Sequence, residues 1–350
     1  MAGCSLCHFE TALRRVRRSG APSLSLHAAH PGPYPPSQCL SSIAEQYYDK
    51  LQAYMQAIWQ LTVKAVTEDS DEVALQALGL WYAIAEYEST ELPTGEDGAP
   101  VPGFIKQAAH FLVPMLIKQL TKQEEGQEHD EGAWNLSVAG ATILDLSAPM
   151  VGDAVVELVM PFVQENIAKR ASEEDWRWRE AATIAFGSIL AGPSPQHLVP
   201  LVREGLTFLL KSMEAERHSM VLDTTIWAIG RIFEHAHLPD VITPQLPDIV
   251  RMLLAALGAE EHLARKASYA LVHLAEGFPS DGPAQNNPMM SFIPHVIGVR
   301  RDERVTRAVT PGCDSTLVPG VMSHRVQCTA NAAAPLAPSH TMHHLPRACP

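Results

Sequence analysis

The chain has 350 residues, of which 46% are hydrophobic and 19% charged, with a formal net charge of -13. That balance supplies enough apolar side chain for a large core and excludes a wholly disordered polypeptide. No apolar run approaches the roughly 18 residues of a membrane helix, and the N-terminus lacks the continuous apolar stretch of a secretory signal, so neither membrane insertion nor export is expected.

Charge and residue usage divide the chain into three parts. Residues 1–42 carry one acid, Glu10, against four arginines, and residues 300–350 carry three acids against six arginines. Removing these from the 39 acids and 26 bases of the whole leaves 35 acids and 16 bases in residues 43–299, a net charge near -19. Such a middle attracts basic partners and repels nucleic acid. All six tryptophans lie in it, and all six cysteines lie in the tails, so a disulfide framework is not expected. Both tails read as unrelated, basic and disordered.

The N-terminal tail holds Cys4-Ser5-Leu6-Cys7-His8, the spacing of a haem attachment site. Without an export signal that chemistry has no loading compartment, and no cofactor is assigned. The same acid-poor, Arg- and Ser-containing tail also has the composition of an organellar transit segment. His295, His324, His340, His343 and His344 make no spaced metal set.

Taken in chain order, the middle begins with a short helical copy around Val73-Ala74-Leu75-Gln76. The Pro-, Gly- and acid-rich stretch Thr90 to Gly103 then reads as a long loop. Phe111 to Leu116, an apolar run around Pro114, precedes a second loop with five carboxylates in eight residues: Glu124, Glu125, Glu128, Asp130 and Glu131. This acidic loop, 123–133, leads into Trp134-Asn135 and a helix containing Ser137-Val138-Ala139-Gly140. From there a repeat is plain, because Ala181, Thr224 and Ala267 stand 43 residues apart in similar surroundings. Pro200, Pro247 and Pro294 recur every 47 residues and read as starts of outer helices, since proline is tolerated in a first helical turn.

Each unit is thus an outer helix led by proline followed by an inner helix with small residues where helices approach closely. The period matches HEAT or armadillo repeats, and about five and a half units fit between residues 43 and 299. The expected fold is an all-α solenoid of antiparallel helix pairs, wound as a right-handed superhelix.

The candidate binding residues follow from these positions. Trp134, Trp227 and Tyr269 lie at or near inner helices, and Asp223 falls one turn before Trp227. Aromatic faces beside carboxylates suit arginine and lysine, which stack and ion-pair together. Rings at such places also simply fill gaps between repeats, and the acidic loop by itself reads first as a solvated loop and only second as a seat for a cation or a basic protein. Trp59, Trp81, Trp176 and Trp178 read as structural. No EF-hand spacing, phosphate-cradling glycine loop, H-E-x-x-H or G-x-S-x-G is present, so neither a metal site nor an enzyme is expected.

Glu174-Asp175-Trp176-Arg177-Trp178-Arg179-Glu180-Ala181-Ala182-Thr183, together with Asp223-Thr224-Thr225-Ile226-Trp227-Ala228-Ile229-Gly230 and Asp71-Glu72-Val73-Ala74-Leu75-Gln76, resembles the importin beta family of nuclear import receptors over about residues 43 to 299. The resemblance implies a shuttling receptor of cytoplasm, nucleus and nuclear pore. Its inner face would wrap the arginine-rich segment of importin alpha or basic cargo, and its acidic loop would contact the GTPase Ran, which releases cargo. Nucleoporins are further partners that the resemblance suggests. Matched position by position, Trp134 and Trp227 line that inner face, with Glu180 and Asp223 as its acids. Tyr269 departs from the pattern by replacing a tryptophan, with Arg265-Lys266 adding positive charge beside it. The family's earlier repeats, which carry the main Ran surface and a nucleoporin pocket, have no counterpart before residue 43. The alternative expectation is therefore a truncated, non-functional or regulatory HEAT scaffold.

Overall fold

A computed structural model describes residues 48–90, 103–126, 134–278 and 287–292. All of these lie in one unit of the chain, Met1–Val318; the second, Pro319–Pro350, lies outside them. Both cysteine-bearing tails, most of the 90–103 stretch and Pro294 also fall outside the described residues.

Among the described residues, ten long helices form five consecutive pairs. They are α1 (Met55–Glu68) with α2 (Asp71–Thr90), α3 (Phe104–Gln119) with α4 (Leu136–Val151), and α5 (Ala154–Asn166) with α6 (Asp175–Ser188). The last two pairs are α7 (Pro195–Ala215) with α8 (Ser219–His235), and α10 (Leu246–Leu257) with α11 (Glu261–Glu276). A one-turn helix, α9 (Pro239–Ile242), enters the last pair, and short 3-10 turns stand at Tyr48–Ala53 and Pro288–Ser291. No strand occurs among the described residues. The fold is the HEAT-type α-solenoid expected from the repeat.

The second helices of the pairs form the continuous layer, each touching the next in the order α2, α4, α6, α8, α11. Small residues explain that closeness. Ala181, Thr224 and Ala267, the three positions 43 apart, are 0%, 6% and 0% exposed on α6, α8 and α11. A side-chain carbon added at Gly140 would lie 3.1 Å from the Leu116 carbonyl oxygen, so α4 depends on glycine to reach α3.

Burial extends through the whole stack, from Leu78 and Trp81 on α2 to Ile249 on α10 and Ala270 on α11, all at most 1% exposed or fully buried. Trp81 is satisfied inside it, its indole N–H donating to Thr62 Oγ1 at 3.1 Å. At the start of α4 the Asn135 side chain accepts from the Val138 N–H at 3.0 Å, a normal N-cap.

The prolines behave differently from expectation. Pro247 does occupy the first turn of α10, but α7 begins at Pro195, leaving Pro200 inside the helix, and Pro114 likewise lies within α3. The carbonyls deprived of a donor belong to residues four positions earlier, His110 and Gln196, which are both exposed, so water can replace the missing bond. The 47-residue proline interval therefore marks a repeat without marking one fixed helix position.

Candidate protein-binding face

The aromatic candidates on the second layer are seated by glycine. An ideal Cβ on Gly187 of α6 would lie 2.4 Å from Trp227 Cζ3, and one on Gly230 of α8 would lie 2.7 Å from Tyr269 Cδ1. Each ring thus packs directly against a glycine of the preceding repeat, and each remains half-buried. Trp227 and Tyr269 fill the gaps between repeats and stay partly exposed. The guanidinium of Arg231 sits 5.9 Å from the Trp227 ring centroid. Tyr269 donates its hydroxyl to Glu234, and its ring meets His273 edge-on at 4.5 Å. The positive charge noted beside Tyr269 is partly answered within its own helix, since Arg265 pairs with Glu261 at 3.8 Å.

Trp134, just before α4, is the most open of the three candidates at 40% exposed. Its ring meets that of Tyr82 on α2 at 5.9 Å, edge to face. Tyr82 in turn donates to Glu86 at 3.0 Å, and burial together with that carboxylate pushes its hydroxyl up to about 12. An aromatic pair beside an exposed acid is chemistry suited to an arginine side chain. Neither Tyr82 nor Glu86 was singled out from sequence, although their i, i+4 spacing was visible. Of the tryptophans read as structural, Trp81 and Trp176 are buried, whereas Trp178 is 40% exposed under Lys169, whose ammonium lies 4.5 Å from its centroid.

The two acids of the repeat are both enclosed. Asp223 is 9% exposed, one turn before Trp227. Glu180 is 2% exposed and its two oxygens are engaged, accepting from Thr224 Oγ1 at 2.9 Å and from Gln123 Nε2 at 2.7 Å. Glu124 and Glu125 of the acidic stretch are exposed, with Glu125 3.6 Å from Arg177; Glu128, Asp130 and Glu131 lie outside the described residues.

A buried ionic chain, invisible in the sequence, crosses the same layer. Arg231 of α8 bonds Asp145 of α4, skipping α6, and pairs with Glu234 at 2.7 Å. Burial pushes the Asp145 carboxyl up to about 6 despite the attraction of Arg231. His235 is held down at about 4, first by burial and then by Arg231. Burial also raises Glu234, but Arg231 and the Tyr269 hydroxyl outweigh it and leave the carboxyl below its usual range. Among the described residues no group of three His, Cys, Asp or Glu could hold a metal ion, and no helix is long and apolar enough to cross a membrane.

Comparison with known proteins agrees with this architecture. A HEAT-like repeat family matches residues 176–232. Importin subunit beta-1 of Arabidopsis thaliana is 44% identical over 271 residues, and that of Schizosaccharomyces pombe 35% identical over 271 residues. In both cases the similarity covers 74% of this chain and 30% of the relative, so the chain spans under a third of their length. Among solved structures, a Kap95:Nup1 complex shares 28% identity with a TM-score of 0.68, covering 83% of this chain and 33% of that one. Kap95p bound to RanGDP shares 29% identity, again with a TM-score of 0.68 and the same coverage.

Proposed function

The helical repeats of this chain belong to the importin beta family, and on that premise we propose that they form a protein-binding scaffold of nuclear import. The scaffold takes an arginine-rich segment, that of importin alpha or of basic nuclear cargo, on its second-helix layer. The observation that carries this reading is the half-exposed Trp134–Tyr82 pair beside Glu86, followed along the layer by Trp227 near Asp223, in a region of net charge near -19. Basic side chains stack on such rings and pair at once with an exposed acid such as Glu86. Tyr269 closes the face, and Glu180 contributes from within it. The scaffold has no catalytic role, and its work belongs to the cytoplasm, nucleus and nuclear pore.

Two further partners follow from the relatives. The acidic stretch, beginning with exposed Glu124 and Glu125, is the proposed contact for Ran, whose binding would compete with the basic segment and release it. On the first-helix layer, Phe111 is 64% exposed with its ring 5.6 Å from Trp59, which offers an apolar seat for a nucleoporin.

Titration calorimetry of the full chain with an arginine-rich importin-alpha peptide tests the first reading, at low and physiological salt. The expected result is saturable binding that weakens with salt, and a loss of about 1–3 kcal/mol for Trp134→Ala or Trp227→Ala. A folded chain that shows no binding is the regulatory or non-functional scaffold instead.

A further inference from the structure

The connection leaving α3 carries one polar residue that is buried as deeply as the core. Gln123 is 4% exposed, and its amide nitrogen donates both to the Arg177 carbonyl at 2.8 Å and to Glu180 Oε2 at 2.7 Å. Both partners are acceptors, so the orientation of the amide is fixed by chemistry. Arg177 returns the contact by donating to the Gln123 carbonyl. The other Glu180 oxygen is taken by Thr224 of α8. Four groups from three successive repeats therefore close on one point: the connection after α3, the first turns of α6, and α8.

The residues that follow Gln123 are the exposed Glu124 and Glu125. The chain is held at Gln123, whose side chain bonds Glu180 and whose carbonyl accepts from Arg177, and the same guanidinium reaches the Glu125 carboxylate at 3.6 Å while stacking 4.4 Å over Trp176. On the N-terminal side, Lys122 pairs with Asp71 at the start of α2 at 4.0 Å. Exposed carboxylates at the edge of a binding face act mainly through charge, and their effect depends on where they are held.

We propose that Gln123 is a positioning residue: clamped by Arg177 and by Glu180, which Thr224 holds in turn, it fixes Glu124 and Glu125 beside the face that receives a basic segment. This rests on the binding reading above and deepens it. It also assigns Glu180 a different part from that of a direct contact, because both of its oxygens are engaged inside the protein. The clamp joins consecutive repeats at the helix ends where the acidic stretch departs.

The test uses Gln123→Met in the full chain, which keeps side-chain volume and removes both donated bonds, with Gln123→Ala as a second variant should the first fail to fold. Affinity for the arginine-rich peptide is measured by calorimetry across a salt series, together with the thermal midpoint. Expected is a loss of about three- to tenfold at low salt that vanishes at high salt, with a midpoint lowered by roughly 2–8 °C because Glu180 Oε2 loses a buried donor. A Glu124→Gln/Glu125→Gln double substitution should give the same flattening, and combining it with Gln123→Met should add almost nothing. A general structural defect would instead lower affinity equally at every salt concentration. If Gln123→Met leaves the salt dependence unchanged while the double substitution flattens it, the clamp is overturned and the binding reading stands. If the unaltered chain binds no peptide, both fall.

Discussion

Replacing Arg231 by methionine tests whether the buried ionic chain holds three repeats together. The side chain is nearly fully buried and bridges Asp145 on α4 and Glu234 on α8, with Tyr269 of α11 bonded to the same Glu234. Methionine retains most of the volume but leaves two part-buried carboxylates without their arginine. Removing one partner of a buried pair costs about 3–5 kcal/mol. For a unit of this size a kcal/mol moves the thermal midpoint by roughly 2–4 °C, so a fall of about 10 °C at pH 7.5 is expected. The pH dependence identifies the cause. Asp145 already sits at about 6, above its unfolded value, so its ionisation costs stability above that pH and the cost disappears as pH falls toward about 4. Without Arg231 the carboxyl rises further, and part of the lost stability should return at pH 5.5. Thermal unfolding followed by circular dichroism at the two pH values measures both effects. A variant as stable as the parent at pH 7.5, or equally destabilised at both, would refute this account.

The opposite sign is expected for Glu216. Burial pushes its carboxyl up, but Arg179 at 2.9 and 3.0 Å and the backbone N–H groups of His218 and Arg217 hold it at about 2. Its stabilisation is complete above about pH 4.5 and is lost as pH falls through about 2, so Glu216→Gln should reduce the midpoint at pH 6 and leave it nearly unchanged at pH 2. Gly187→Ala should force the Trp227 ring off α6, destabilising by about 1–3 kcal/mol and shifting Trp227 emission; unchanged emission would mean the ring does not lie on that glycine.

Much of the architecture could be read from residue spacing. The 43-residue interval placed Ala181, Thr224 and Ala267 on the buried side of successive second helices, where the structure finds them. Proline gave a weaker signal: an interior proline is tolerated wherever the orphaned carbonyl faces water, and sequence does not reveal that exposure. Trp178 escaped for a similar reason, since a helix start says nothing about which way the ring points.

The binding face divides in the same way. Local sequence determined which residue types were available: rings at Trp134, Trp227 and Tyr269, an acidic stretch after α3, and an excess of carboxylates throughout the middle. Only the tertiary structure decided how they were used. It turned Glu180 inward onto Gln123 and Thr224, residues 57 positions before it and 44 after it. It brought Tyr82 and Glu86 to Trp134, and joined Asp145 to Arg231 across 86 residues. The period of a helical repeat is a local property repeated along the chain, so sequence carries it. The pairing of a carboxylate depends on which helix ends meet, and that is fixed when neighbouring repeats stack.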